Sequence, residues 1–260
     1  MKKIGLVLSG GGARGLAHIG VIKELEKLDM TICAIAGCSM GAVIGAFYAS
    51  GKTAEEIEEF VLNHKIIDFL DISISRQGLN KTDKLEKKIN EFIGIKTFRK
   101  LNIPLYINAT NISKGKERVF STGNIFRAIR ASISVPGIFA PLKLGDDYYI
   151  DGGVLNQTPF SILPKDITHY LIVNVFPYEK SWDKEGISIT SLLENSLKLM
   201  QNEMSKIKLE KLKKQRYAII EPKLGKYRVI EKRKHFEDII RRGQLAAKSK
   251  KRKIIEVIRD

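Results

Sequence analysis

Thr31-Ile32-Cys33-Ala34-Ile35-Ala36-Gly37-Cys38-Ser39-Met40-Gly41 decides the reading of the whole chain. Its first six residues are apolar or β-branched without alternation, the signature of a strand buried on both faces. Met30 to Gly51 carries no charge and is long enough to span a bilayer. Gly37, Ser39, Gly41 and Gly45 interrupt it, however, so a buried strand, a tight turn and a buried helix from about Met40 to Ser50 account for it better. Upstream, Lys2–Ser9 is another β-rich apolar run ending in glycines. Leu16, Ile19, Ile22, Leu25 and Leu28 then recur at helical spacing. The β-α-β-α order predicts a three-layer α/β/α fold around a central, mostly parallel sheet.

Further along, helices are expected over Thr53–Leu62, over Thr82–Ile93 with Thr82 or Asp83 as N-cap, and over Ile125–Ser132. Strands are expected over Pro104–Ile112, Arg118–Phe120, Asp147–Ile150, His169–Phe176 and Tyr217–Glu221. Asp146 and Asp147 read as turn residues. Phe176–Ile187 reads as a mobile surface loop. Ile189, Leu192, Leu193, Leu197, Met200, Met204 and Ile207 form one face of a long helix, and Phe236–Ile258 is a terminal basic helix. Nothing forces a domain cut, so residues 1–175 form a core that residues 176–260 complete.

Composition narrows the function classes. With 260 residues, 43% of them hydrophobic and 28% charged, the chain is globular rather than disordered. Its 45 Lys and Arg exceed its 29 Asp and Glu, for a net charge of +16. The excess is local: residues 1–197 carry 24 basic and 21 acidic side chains, residues 198–260 carry 21 and 8. Two cysteines, Cys33 and Cys38, exclude a disulfide scaffold and make a reducing, cytoplasmic compartment the default. Together with four scattered histidines they give no metal pattern. Met1-Lys2-Lys3 and the apolar run after it are too short for a signal peptide.

Gly10-Gly11-Gly12-Ala13-Arg14-Gly15 lies between a strand and a helix and fits G-x-G-x-x-G. Consecutive backbone N–H groups without Cβ atoms can there face an anion. A nicotinamide-binding fold wants an acidic residue at the end of the second strand, and that strand ends instead at Ala36-Gly37-Cys38-Ser39. No Lys-Ser or Lys-Thr follows the glycines, as a phosphate-loop kinase would require.

Gly37-Cys38-Ser39-Met40-Gly41 matches G-x-S-x-G in the strand-turn-helix context of a nucleophile elbow. The helix that follows directs its positive end at charge forming on Ser39. Neither His169 nor His235 sits in a recognisable loop motif, His64 belongs to an amphipathic stretch, and packing explains His18 as well as a place near the site does. Asp151-Gly152-Gly153, ending a strand, is the better source of a base. Burial would raise the carboxylate's pKa toward a useful range.

These residues resemble the patatin-like phospholipase family, especially its compact bacterial members. The glycine loop matches the family's G-G-G-x-[KR]-G block, Gly37–Gly41 its elbow, and Asp151-Gly152-Gly153 its D-G-[GA] motif. Residues Ala131 to Pro141 look like its A-S-x-x-x-P-x-x-F-x-P block. The resemblance implies a lipid ester hydrolase with a Ser39–Asp151 dyad and no metal or cofactor. It also implies an oxyanion hole in the loop Gly10, Gly11, Gly12, Ala13, Arg14 and Gly15, formed by the amides of Gly11, Gly12 and Ala13, with Arg14 holding the loop. The Ser132–Pro141 block is expected in the wall of the acyl pocket.

The basic tail reads first as a solvated lysine-rich helix surface and second as suited to contact with anionic headgroups at a membrane surface. No nucleic-acid motif or aromatic interleaving accompanies it, and no nucleic-acid partner is expected. Two competing classes are a nicotinamide-dependent oxidoreductase built on the glycine loop and a non-enzymatic, membrane-binding basic module.

Overall fold

Strand alternation builds two cores on the two faces of one sheet. In β1 (Ile4–Leu8), Ile4, Leu6 and Leu8 enter the larger core and Val7 the smaller. In β2 (Ile32–Gly37), Ile35 faces the first while Ala34 and Ala36 face the second. The computed structural model describes residues 2–63, 78–177, 189–212 and 216–259.

The remaining strands are β3 (Leu105–Asn111), β4 (Lys116–Phe120), β5 (Leu142–Leu144), β6 (Asp147–Asp151), β7 (His169–Val173) and β8 (Tyr217–Ile220). Their order is β5-β6-β3-β2-β1-β7-β8, with β4 paired to β3. β3, β2, β1, β7 and β8 run parallel, whereas β4, β5 and β6 add antiparallel pairings at one end. The sheet is therefore mixed. The β5–β6 hairpin, three and five residues long around a turn at Gly145, lacks the length that makes a sequence pattern stand out. Asp147 is the first residue of β6, not a turn residue, and is tied to Lys114 and Asn111.

The larger core is covered by α1 (Ala17–Leu25), α2 (Met40–Ala49), α3 (Ala54–Asn63), α4 (Gly78–Ile93), α5 (Ile125–Ser132), α8 (Phe236–Ser249) and α9 (Lys251–Arg259). α2 is buried at every position except Tyr48, as its all-apolar sequence demands. α4 begins four residues before the expected cap at Thr82, because Leu79, Asn80 and Lys81 are compatible with helix and nothing stops it there. The basic terminal helix is two helices: the backbone opens at Lys250, so α8 lies along α1 while α9 turns to cover β7 and β8. α1 and α8 touch backbone to backbone. A Cβ on Gly20 would lie 1.9 Å from the Ile240 carbonyl oxygen, and one on Gly243 equally close to that of Ala17.

The short α6 (Gly153–Asn156) follows β6, and α7 (Ile189–Leu209) lies beside it. The apolar side of α7 does not turn inward: Leu192, Leu197, Met200 and Ile207 are all about half exposed or more. Polar groups dock this helix instead. Gln201 Nε2 donates to the Gly153 carbonyl at 3.0 Å, Asn202 Nδ2 to that of Phe176 at 3.1 Å and Lys208 Nζ to that of Leu155 at 3.1 Å. The loop expected over 176–187 lies outside the described residues from 178 onward, and Phe176 itself is buried. Among the described residues no helix is long and apolar enough to cross a membrane.

Candidate active site

β3 brings Ser39 and Asp151 together. Ile107 pairs with Gly37 of β2 on one edge and Phe120 of β4 on the other. Ala109 pairs with Asp151 of β6 and Arg118 of β4. Since β4 holds the same edge at both positions, β2 and β6 share the opposite edge, end to end. The carboxyl end of antiparallel β6 thus meets the carboxyl end of β2, at the edge where open α/β sheets bind ligands.

Ser39 has φ 51° and ψ −122°, and it is the only non-glycine residue with positive φ among those described. Such a conformation costs roughly 1–3 kcal/mol and persists only when its surroundings enforce it. Here the Ser39 N–H donates to Ser132 Oγ at 2.8 Å, the Gly41 N–H donates to the Cys38 carbonyl at 2.8 Å, and α2 starts at Met40. Gly41 lies flat on the end of β1, where a Cβ would sit 2.2 Å from the Leu8 carbonyl oxygen. Gly37 is packed against Gly41 and Ala42, where a Cβ would sit 2.6 Å from the Gly41 carbonyl oxygen. The elbow is held by backbone contact, with its hydroxyl at the positive end of α2.

Asp151 is buried. Its carboxylate accepts hydrogen bonds from the Gly153 N–H at 2.7 Å and the Cys38 thiol at 3.7 Å, and the nearby Ser39 side chain also acts to lower its pKa. Desolvation outweighs these bonds and raises its pKa to about 6. The backbone on either side is pinned: the Asp151 N–H donates to the Ser134 carbonyl at 2.9 Å, and Thr110 Oγ1 donates to the Asp151 carbonyl at 3.1 Å. Asn108 lies beneath Gly152, donating from Nδ2 to the Gly152 and Asn156 carbonyls and to Glu117. Gly153 opens α6.

The glycine loop follows β1. Its Gly10 N–H donates to the Gln157 carbonyl at 3.1 Å, that of Ala13 to the Val229 carbonyl at 2.7 Å, and that of Arg14 to the Gly11 carbonyl at 3.2 Å. Gly12, with φ 55°, lines a narrow recess together with Ser39, Met40, Ile133, Val135, Ile138, Phe139, Val229 and Ile230. Arg14 is buried. Its Nε and Nη2 both donate to the Tyr227 carbonyl, at 2.7 and 2.5 Å, and its guanidinium lies 5.2 Å from the centre of the Phe176 ring. Gly15 packs on Met40.

None of the hydrogen-bond partners of Asp151 is a histidine. His18 is buried in α1 with Nε2 on the Ser9 carbonyl at 2.8 Å, and burial lowers its pKa to about 4, so the ring is neutral. His169 is held by Thr168, His235 stands beside Tyr227, and His64 lies outside the described residues.

Three contributors escaped the sequence reading: Ser132 as acceptor for the elbow amide, Asn108 under the Asp151 turn, and the segment around Val229. Ser132 at least stands in a quoted motif block. Asn108 and Val229 stand in no motif.

The patatin-like phospholipase family model matches residues 6–164. An uncharacterized NTE family protein of Mycobacterium bovis is 37% identical over 161 residues, covering 61% of this chain and 45% of that protein. Lysophospholipase NTE1 of Cryptococcus neoformans is 31% identical over 183 residues, covering 67% and 11%. The chain thus spans less than half the length of these relatives. Among solved structures, VipD from Legionella pneumophila superposes with TM-score 0.54 at 13% identity, over 95% of this chain and 67% of that one. The type III effector protein ExoU gives 0.52 at 17% identity, over 98% and 54%. These two likenesses carry the α/β fold alone. The matched span runs from the first strand past the Asp151 turn, so the elbow and the aspartate both fall within it: the chain belongs to the patatin-like phospholipase family.

Proposed function

We propose that the chain is a serine acyl hydrolase that cleaves carboxyl esters of lipids, phospholipids or lysophospholipids, through a Ser39–Asp151 dyad. The observation that carries this reading is the meeting of the Ser39 elbow, at the end of β2, with the buried Asp151 carboxylate at the end of β6, on one edge of β3. Ser39 Oγ attacks the ester carbonyl and its proton passes to Asp151. The tetrahedral oxyanion is met by the Gly11 and Gly12 amides and the positive end of α2; the Ala13 amide, expected with them, is instead bonded to the Val229 carbonyl. Collapse expels the alcohol, which takes the proton from Asp151 and leaves an acyl-Ser39 ester. Water then attacks that ester, giving a proton to Asp151, and the carboxylic acid departs as the proton returns to Ser39. Arg14 acts on the loop rather than on substrate, since its fork is occupied by Tyr227. The nicotinamide reading has no support in the elbow or the buried aspartate.

The test is hydrolysis of a lysophospholipid by Ser39→Ala and Asp151→Asn. Each is expected to fall by about 10³-fold or more, and a fluorophosphonate should label the Ser39 peptide alone. Full activity in either variant removes the dyad.

The membrane surface is the partner proposed for the exposed side of α7. Leu192, Leu199, Met200 and Ile207 share one stripe of that helix, with Lys198 and Lys206 on the same element. An apolar stripe with basic neighbours suits peripheral contact with anionic lipid. Liposome co-sedimentation should weaken in Leu199→Asp and with rising salt.

A further inference from the structure

One wall of the recess over Ser39 comes from outside the matched span. After β8 the chain returns across the glycine loop through residues 224–230 and enters α8. This strap is tethered at both of its turns. Val229 presents its carbonyl to the Ala13 N–H at 2.7 Å, and Tyr227 presents its own to the fork of Arg14. The Tyr227 ring is buried, with its hydroxyl donating to Asp238 and accepting from Arg242 Nε at 3.2 Å on α8. Val229 lies hard against Gly12, and Ile230, 47% exposed, stands at the mouth of the recess.

We propose that the strap, through Val229 and Ile230, sets the length of acyl chain accepted at Ser39, an inference that rests on the hydrolase reading above. The recess is apolar almost throughout, so it selects by fit rather than by hydrogen bonding. It is a narrow cleft open over Ser39, so an acyl chain attached there must lie against its walls. One side is fixed by Ile133, Val135, Ile138 and Phe139, on a segment whose backbone is bound to Asp151 and Arg130. The opposite side is the tethered strap, and each further methylene must either find room beside Val229 and Ile230 or press on it. A methylene gained or refused in an apolar pocket changes kcat/KM by roughly 10-fold or more.

The experiment compares kcat/KM for p-nitrophenyl butanoate and p-nitrophenyl dodecanoate in wild type, Ile230→Ala, Ile230→Trp and Val229→Ala, with thermal unfolding of each. Ile230→Ala is expected to raise the dodecanoate-to-butanoate ratio by about 10-fold, and Ile230→Trp to lower it. A ratio that moves by less than about twofold in both Ile230 variants overturns the proposal. Because Ile230 is exposed, both should fold, and they decide the matter if Val229→Ala does not. Failure of the hydrolase reading looks different: wild type turns over neither ester, or Ser39→Ala retains the activity of wild type.

Discussion

The two sides of the recess are held in different ways. On the elbow side, backbone lies on backbone: Gly41 rests on the Leu8 carbonyl, and Ser39 is held in its strained conformation by the start of α2 and by Ser132. On the strap side a backbone bond from the Ala13 N–H to the Val229 carbonyl is joined by long side chains, with Arg14 gripping Tyr227 and Tyr227 gripping α8, while the Ile230 side chain stands free of these ties. Backbone packing leaves almost no tolerance, because a single methyl group has nowhere to go, and this holds for Gly12 under Val229 as for Gly41 on Leu8. The exposed Ile230 side chain can change while the anchors beside it stay. The reacting atoms therefore sit wholly on intolerant backbone, and the strap adds one tolerant position to its fixed anchor.

Substitutions can break this contrast. Gly41→Ala drives a Cβ into the Leu8 carbonyl and should lose about 4 kcal/mol or more, or fail to fold, by urea denaturation. Ile230→Ala should stay within about 1 kcal/mol of wild type in the same assay. Equal losses would erase the distinction between the two sides.

Asp151 sharpens it through pH. A carboxyl whose folded pKa lies above its unfolded value takes up a proton on folding, so stability falls as pH rises from about 4 through 6. The shift corresponds to about 3 kcal/mol lost by neutral pH. Asp151→Asn should recover most of it at pH ~7 and nothing at pH ~4, as followed by melting temperature. The acid limb of kcat/KM should have its midpoint near 6, since the base must be ionised. A midpoint near 4 would show an ordinary, solvated carboxylate.

Arg14→Lys keeps the charge but gives up the fork on Tyr227, and should cost about 2 kcal/mol. It should also loosen the strap enough to flatten the chain-length profile. The smallest effect is at the nucleophile. Ser39→Gly and Ser39→Ala should be equally inactive, yet the glycine variant should be more stable by about 1 kcal/mol, because only it is at ease at φ 51°. Identical melting temperatures would mean that the elbow stores no strain.

The same contrast explains what the sequence discloses. Gly37, Gly41 and Gly12 are legible because contacts between backbones admit only one residue type, Gly10, Gly11 and Gly15 because side chains fill the space of a Cβ, and Asp151 through the glycines beside it. The parallel strands are legible because burial on both faces leaves unbroken apolar runs. Ser132, Asn108 and Val229 act through single hydrogen bonds that many residue types could make, at positions brought near only by folding. The meeting of β2 and β6 on one edge of β3 leaves no local trace, since it is a matter of register. The stripe on α7 is a correct periodicity facing the other way, because a helix can dock through amides as well as through leucines.

The glycine contact between α1 and α8 bears on how the chain can be dissected. α1 begins where the glycine loop ends, and Gly20 and Gly243 seat it on a helix some two hundred residues downstream. A fragment cut at the end of the matched family span, near residue 164, would strip that seat from α1 and take two strands, β7 and β8, from the sheet. We expect it to be recovered only as an aggregate. Joining the two pieces by co-expression, as a split protein, should restore it.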